Sequence, residues 1–232
     1  MAGLTQGISA AEVAVRLAEV RRRIERAGAD PARVRIVAVT KGFGPDAVIA
    51  AGGAGLQDVG ENYAQELLAK ARAVGQEVGA RELRWHYIGA IQRNKVRSLA
   101  PVVSLWQGVD RVVEGEEIAR RAPGASVLVQ VEVAGRPDRP GLPPRHVPQA
   151  VGALRALGLD VQGLMTVGPE GDPEGAREGF RTLARLAAEL GLAELSMGMT
   201  DDLEPAVGEG STMVRVGRAL FGPRPAQPKL GE

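Results

Sequence analysis

The sequence has no cysteine, and this absence removes three kinds of chemistry at once. A chain without thiols forms no disulfide, holds no thiolate-bound metal and uses no cysteine nucleophile. Aromatic residues are also scarce, at 3% of the 232 residues, so the core must be built from Val, Leu, Ile and Ala. The two histidines, His86 and His146, show no metal-ligand spacing with carboxylates, so we expect no metal site and disfavour a metal-dependent hydrolase.

Strong net charge and long apolar runs are missing as well. The net charge of +1 argues against electrostatic binding to nucleic acid or to an acidic membrane surface. No apolar run approaches the ~18 residues that a membrane-spanning helix needs, and the N-terminus lacks the pattern of a signal peptide. We therefore expect a cytoplasmic protein without a nucleic-acid or membrane partner.

Strand-like and helix-like segments alternate along the chain. A leading helix spans 9–28, where Ser9 and Glu12 form a capping box and Gly28 marks the end. The alternation predicts an α/β protein, a single-domain (β/α)8 TIM-type barrel over 1–232 with a loosely ordered tail at 224–232, and a doubly wound open sheet is the second choice. The candidate strands, rich in Val, Ile and Leu, are 35–41, 55–60, 83–89, 102–109, 126–133, 160–167, 194–198 and 213–219.

The first of these strands ends on a lysine, in "RIVAVTKGFG". A solvated lysine at a strand end is ordinary, but Lys41 would instead lie at the active site if the chain is a barrel, because barrel sites form at the carboxyl ends of the strands. Each neighbouring candidate also has an ordinary explanation, such as a core methionine or a hydrogen-bonded histidine. The other residues at predicted strand ends are Glu61, Asn62, His86, Tyr87, Met165, Thr166, Ser196, Gly198, Arg215 and Gly217.

Glycines and hydroxyl groups follow the seventh and eighth strands, in "LSMGMTDD" and "GSTMVRVGRALFG". Barrels often hold phosphate groups there, where glycine lets the backbone approach the ligand closely. A strand-end lysine opposite a phosphate cradle suits pyridoxal phosphate (PLP), an aldehyde cofactor that condenses with lysine. In this interpretation Arg215 donates to the pyridine nitrogen, and Asn62, His86 and Met165 line the ring.

Several motifs resemble those of the pyridoxal phosphate homeostasis proteins, which are related to the N-terminal barrel of alanine racemase. These motifs are "VAVTKGF", "DVGENYAQELLAK", "WHYIGAIQRNKV", "GLMTVGP", "LSMGMTDDLEPAVGEGSTMVRVG" and "ALFG", and they extend from about residue 9 to residue 222. The resemblance implies the single-domain barrel of fold-type III PLP proteins.

The resemblance also assigns roles to individual residues. It implies that Lys41 is the Schiff-base lysine, that Ser196 binds the phosphate with backbone amides near Gly217 and Arg218, and that Asn62 faces the cofactor. Arg218 stands where the family commonly has threonine, so it either pairs with the phosphate or turns outward. The implied role is PLP binding in intracellular vitamin B6 homeostasis, with apo-PLP enzymes as possible recipients and no established robust reaction.

The alternative function is a PLP-dependent amino-acid racemase of low activity. Alanine racemases use a second base, a tyrosine supplied by an additional C-terminal domain of the partner subunit. The chain ends soon after the eighth predicted strand, Tyr63 falls in a helical pattern, and Tyr87 faces away from His86. We therefore expect a monomeric carrier. We also expect Lys70 and Lys95 to lie on helices or outer loops and to be dispensable for PLP attachment.

Overall fold

The predicted strands form a closed barrel. The structure, a computed structural model, describes residues 7–75, 83–136, 138–169 and 171–224. Eight parallel strands pair in sequence order, and the barrel closes where β1 pairs with β8, from Arg35↔Met213 to Ala38↔Val216. This closure confirms the barrel over the open sheet. The strands are β1 (Arg35–Val39), β2 (Asp58–Glu61), β3 (Arg84–Tyr87), β4 (Val103–Val109), β5 (Ser126–Gln130), β6 (Asp160–Met165), β7 (Glu194–Ser196) and β8 (Met213–Val216).

Helices surround the barrel, preceded by the predicted leading helix. Ser9 and Glu12 form the expected capping box at its start, and Gly28 follows its end with φ of +92°. The apolar stripe of this helix is fully buried, in one cluster with the following helix and the last one. The helices are α1 (Ala10–Arg26), α2 (Pro45–Gly53), α3 (Ala64–Val74), α4 (Arg93–Leu99), α5 (Val112–Arg121), α6 (Val147–Ala156), α7 (Ala176–Glu189), α8 (Leu203–Gly208) and α9 (Arg218–Phe221).

Several predicted boundaries are wrong by a few residues. β1 ends at Val39, so Lys41 lies in the loop after the strand rather than on it. Tyr63 is the N-cap of α3 and is 60% exposed, so it does not belong to the buried stripe of that helix. The N-cap of α8 is Asp202. The sequence also predicts that the apolar stripe of α3 continues to Val78, which lies in the segment 76–82 outside the described residues. Nearly all of the predicted tail, 225–232, lies outside them too.

Two kinds of packing fill the space around and inside the barrel. Apolar side chains between the strands and the helices form most of the core, including Trp106, which meets Tyr87 edge-on. Inside the barrel a small apolar group lies beside buried polar side chains; it comprises Val37, Leu105, Leu128, Met165 and Met213. Among the described helices, none is long and apolar enough to cross a membrane.

Candidate functional site

Lys41 lies at the carboxyl end of β1, in a turn that continues through Gly42 with φ of +77°. The residue is half-buried. Burial lowers the pKa of the Lys41 amine, and the guanidinium groups of Arg224 and Arg215 lower it further, against the opposing effect of Glu61 and Glu66. A larger fraction of this amine is therefore neutral at a given pH than in a solvated lysine.

Lys70 lies in a buried ion-pair network beside Lys41, not on an outer surface. It is only 4% exposed, and its Nζ donates to the Thr40 carbonyl at 2.7 Å and to Glu61 Oε1 at 2.6 Å. It also donates to Glu66 Oε2 at 3.0 Å. Lys70 lies on a helix, as predicted, but its side chain is buried rather than solvated. One turn of α3 separates Glu66 from Lys70, so both reach the loop after β1.

Arg215 is a buried cation whose three bonds are to atoms at the ends of neighbouring strands. Its Nη1 donates to both the carbonyl and the hydroxyl of Ser196 at 2.7 Å, and its Nη2 donates to the Thr166 carbonyl at 2.6 Å. Burial lowers the pKa of Arg215 to about 10, which leaves it charged at neutral pH. Arg215 is thus a fixed positive charge that contributes to the lowered pKa of Lys41.

Ser196 is fully buried at the end of β7. Its hydroxyl donates to Gln107 Oε1 at 2.6 Å and accepts from Arg215. The single hydroxyl proton is thus engaged by Gln107, and a bond from Ser196 to a phosphate would require this pair to rearrange. Sequence reasoning missed Gln107, although an amide inside the apolar run "VSLWQGV" was a visible signal.

His86 lies inside the barrel, not at its mouth. Its Nε2 meets Asp58 Oδ1 at 2.9 Å and its Nδ1 meets Gln107 Nε2 at 2.7 Å. Because the Gln107 amide donates to Nδ1, the other ring nitrogen carries the proton that binds Asp58. Burial would raise the pKa of the Asp58 carboxyl, but hydrogen bonds from Arg84 and His86 hold it well below its usual range. A hydrogen-bonded chain therefore runs through the barrel from Asp58 by way of His86 and Gln107 to Ser196.

Met165 and Asn62 occupy different surroundings. Met165 is 1% exposed and packs with Val37 and Leu128 inside the barrel. Asn62 is half-buried and lines a cavity of about 230 Å³ at the mouth, together with Glu132 and other residues of the β2 to β6 loops. Of the three predicted ring contacts, which are Asn62, His86 and Met165, the structure brings only Asn62 to an open part of the mouth.

The turns after β7 and β8 carry the two predicted glycines. Gly198 has φ of +92°, and a Cβ there would lie 2.6 Å from the Cβ of Ala206, so glycine is required at this position. A Cβ on Gly217 would lie 3.2 Å from the Val39 carbonyl oxygen. The two turns meet where the Ala219 amide donates to Thr200 Oγ1 at 3.3 Å. Thr200 thus places a hydroxyl between the two turns.

Arg218 turns outward. Its side chain is 61% exposed and pairs with Asp201, which is 64% exposed. Of the two predicted alternatives for Arg218, the structure shows the outward one, in which it makes a surface ion pair. Its backbone, as the first residue of α9, remains beside Gly217.

The fold and the site define a closed, parallel eight-stranded barrel with a partly desolvated lysine after its first strand. No group of three or more His, Asp or Glu side chains suited to a metal occurs in the described part of the chain. The model of the alanine racemase N-terminal domain family matches residues 11–225. Within that family, the chain belongs to the pyridoxal phosphate homeostasis proteins, as its relatives show.

Two of these relatives illustrate the similarity. The pyridoxal phosphate homeostasis protein of Pseudomonas aeruginosa is 41% identical over 89% of this chain and 92% of its own length. That of Deinococcus radiodurans is 38% identical over 88% of this chain and 97% of its own length. The solved structure of PipY from Synechococcus elongatus PCC7942 with PLP bound is 32% identical, with a TM-score of 0.79. The match covers 90% of this chain and 100% of the PipY chain.

Proposed function

We propose that this chain binds pyridoxal phosphate at the carboxyl end of the barrel, holds it covalently through Lys41, and serves PLP homeostasis. The observation that carries the proposal is the Lys41 amine, half-buried after β1 with its pKa lowered by burial and by two arginines. The relatives named for PLP homeostasis and the PLP-bound PipY structure support the same cofactor.

The residues around Lys41 fit the chemistry of the cofactor. When bound, PLP supplies an aldehyde that condenses with a neutral lysine amine. Burial keeps a larger fraction of the Lys41 amine neutral. Lys41 lies in the turn with Gly42 that follows β1, at the carboxyl ends of the strands. Arg215, fixed by Ser196 and Thr166, offers a charged donor suited to a ring nitrogen that is not protonated.

The part of the mouth next to β1, formed by the turns after β7 and β8, suits the phosphate. Gly198 and Gly217 carry no Cβ, so their turns pack closely against Ala206 and against the Val39 carbonyl, and Thr200 adds a hydroxyl at the same place. Backbone amides next to such glycines are good donors to an anion, and Arg215 adds positive charge. We infer that Gly198, Gly217, the Arg218 backbone and Thr200 form this cradle. Ser196 takes part if it exchanges its bond to Gln107.

The proposal is tested by changing Lys41 and mapping the cofactor. Lys41→Ala should remain folded but should lose the visible absorption band of the bound cofactor and all covalent label after borohydride reduction. Lys95→Ala, on α4 away from the network around Lys70, is the matched control and should keep both. If peptide mapping of the reduced wild type finds the cofactor on another lysine, the proposal is wrong.

The remaining parts of the assignment stay predictions. We propose that the chain acts as a carrier without efficient turnover, because Tyr87 packs on Trp106 outside the barrel and Tyr63 is exposed to solvent. We also expect a cytoplasmic monomer that passes PLP to apo enzymes. Light scattering that shows a tight dimer would contradict the monomer.

A further inference from the structure

Lys70 makes an unusual set of contacts for a lysine on a helix. Its ammonium has three hydrogen-bonding protons, and three acceptors lie within 3.0 Å: the Thr40 carbonyl, Glu61 Oε1 and Glu66 Oε2. The side chain is 5% exposed, so these partners replace nearly all of its water. A fully satisfied buried ammonium of this kind fixes its acceptors in place.

Through these acceptors, Lys70 is connected to the two residues that flank Lys41 in the sequence. Thr40 precedes Lys41, and Gly42, which follows it, donates its amide to Glu66 Oε2 at 2.9 Å. The Thr40 hydroxyl also donates to Glu61 Oε1 at 2.5 Å. Lys70 thus ties together the residues on both sides of Lys41.

In these contacts the carboxylates of Glu61 and Glu66 bind the Lys70 ammonium and not the Lys41 amine. Glu61 is fully buried, and its second oxygen, Oε2, has no hydrogen-bond partner among the described residues. Both Glu61 and Glu66 lie close enough to Lys41 to favour its charged form. If Lys70 did not neutralise them, these two carboxylates would favour the charged form of Lys41 more strongly, and Lys41 would hold its proton.

We propose that Lys70 is a positioning residue for Lys41: by binding Glu61, Glu66 and the Thr40 carbonyl, it keeps the Lys41 amine without a carboxylate partner and free to react. The inference rests on the proposed function, since it gives Lys41 a reactive role. It assigns the buried pair Lys70–Glu61 a part in the chemistry of the site and not only in the stability of the barrel.

Charged groups from each neighbouring element enter this balance. Among the described residues, Glu61 on β2 and Glu66 on α3 favour the charged form of Lys41, whereas Arg215 on β8 and Arg224 after α9 disfavour it. Burial raises the pKa of the Glu61 carboxyl, against the opposing effect of Lys70 and Thr40. Removing the Lys70 charge therefore leaves a proton to be shared between Glu61 and Lys41.

The test measures the protonation of Lys41 in the absence of cofactor. Trace labelling of the apo protein with acetic anhydride across a pH series, followed by peptide mapping, gives a midpoint for Lys41 with Lys95 as internal reference. Lys70→Met should raise the Lys41 midpoint by about one unit or more, which lowers its reactivity at pH 7 about tenfold. Lys70→Arg should restore part of the difference because it keeps the charge.

Glu61→Gln separates this electrostatic role from a structural one. In the Lys70→Met background it should bring the Lys41 midpoint back toward that of the wild type, and alone it should lower the midpoint. If Lys70→Met does not fold, the comparison of Glu61→Gln with the double variant still isolates the Lys70 charge, and the double variant should have the higher midpoint.

Two results would overturn the inference. One is an unchanged or lower Lys41 midpoint in folded Lys70→Met. The other is a raised midpoint that Glu61→Gln does not reverse, since a merely structural role predicts no such reversal. The labelling needs no PLP, so the two proposals can fail separately. Attachment of the cofactor to another lysine would refute the proposed function, but the effect of Lys70 on the Lys41 midpoint would still be measured.

Discussion

The hydroxyl of Ser196 donates to the side-chain oxygen of Gln107 at 2.6 Å in the interior of the barrel. The amide nitrogen of the same Gln107 meets His86 Nδ1 at 2.7 Å, so one side chain joins the candidate site to the middle of the barrel. Buried polar groups of this kind are costly unless every member finds a partner. The orientation of Ser196 is therefore set by residues that lie below the mouth.

The first prediction concerns Ser196→Ala. The change leaves the Gln107 oxygen without its donor and removes one acceptor of Arg215. We expect the free energy of unfolding to fall by about 1–3 kcal/mol, measured by urea denaturation, because buried groups lose their partners. PLP retention should also weaken, through the displaced Arg215 or a lost phosphate contact. Ser98→Ala, at an exposed hydroxyl on α4, is the control and should leave both unchanged.

A second prediction concerns acid stability and Asp58. The pKa of Asp58 is lower in the folded chain than the ordinary value of about 3.9, because Arg84 and His86 bind its ionised form. The stabilisation is therefore complete above that ordinary value and is lost as the pH falls toward the lower folded pKa. Asp58→Asn should cost about 1–3 kcal/mol at pH 7 and should make stability less dependent on pH below about 5.

Urea denaturation at a series of pH values checks this expectation. The matched control is Asp138→Asn, since Asp138 is 70% exposed and its ion pair with Arg136 is on the surface. A wild type whose acid sensitivity equals that of Asp58→Asn would show that Asp58 has no such role.

The sequence predicted the barrel well because its buried strands are nearly continuous apolar runs separated by helical patterns. It also placed Lys41, Gly198 and Gly217 at strand ends, since these positions follow directly from where an apolar run stops. The depth of a side chain was harder to predict. His86 and Tyr87 alternate as expected, but only the structure shows that His86 lies between Asp58 and Gln107 inside the barrel.

Lys70 shows why local pattern fails for buried ion pairs. On α3 it lies one turn after Glu66, which reads as an ordinary surface pair of a helix. Its burial depends on Glu61 and Thr40, which come from β2 and from the loop after β1. A sequence pattern within one helix carries no information about such partners, so the contact appears only once the barrel has closed.

A third prediction concerns the turn after β7. Gly198→Ala places a Cβ 2.6 Å from that of Ala206 and puts alanine at φ of +92°. We expect a loss of about 1–3 kcal/mol in the free energy of unfolding, and weaker PLP retention, because this turn must shift. Gly152→Ala is the control: its Cβ meets nothing within 4 Å in α6, so it should stabilise the chain by about 0.5–1 kcal/mol. Equal effects of the two changes in a urea titration would contradict the close approach at Gly198.

The fourth prediction is that L-alanine is racemised very slowly. A two-base racemase needs a second proton carrier besides the lysine, and the described tyrosines and histidines are placed elsewhere. Tyr87 donates to the Ala90 carbonyl, Tyr63 is 60% exposed, His86 is bound inside the barrel, and His146 is exposed before α6. Glu61, the buried acid near Lys41, is bound by Lys70 and Thr40.

Loss of one general acid or base is expected to cost about 10²–10⁴-fold in rate. Chiral chromatography of L-alanine incubated with the PLP-loaded protein measures the conversion directly, and Lys41→Ala gives the background of free cofactor. We expect a rate far below the ordinary enzymatic median near ~10 s⁻¹. Turnover in that ordinary range, abolished in Lys41→Ala, would mean that a second base is present and that the chain is an enzyme rather than a carrier.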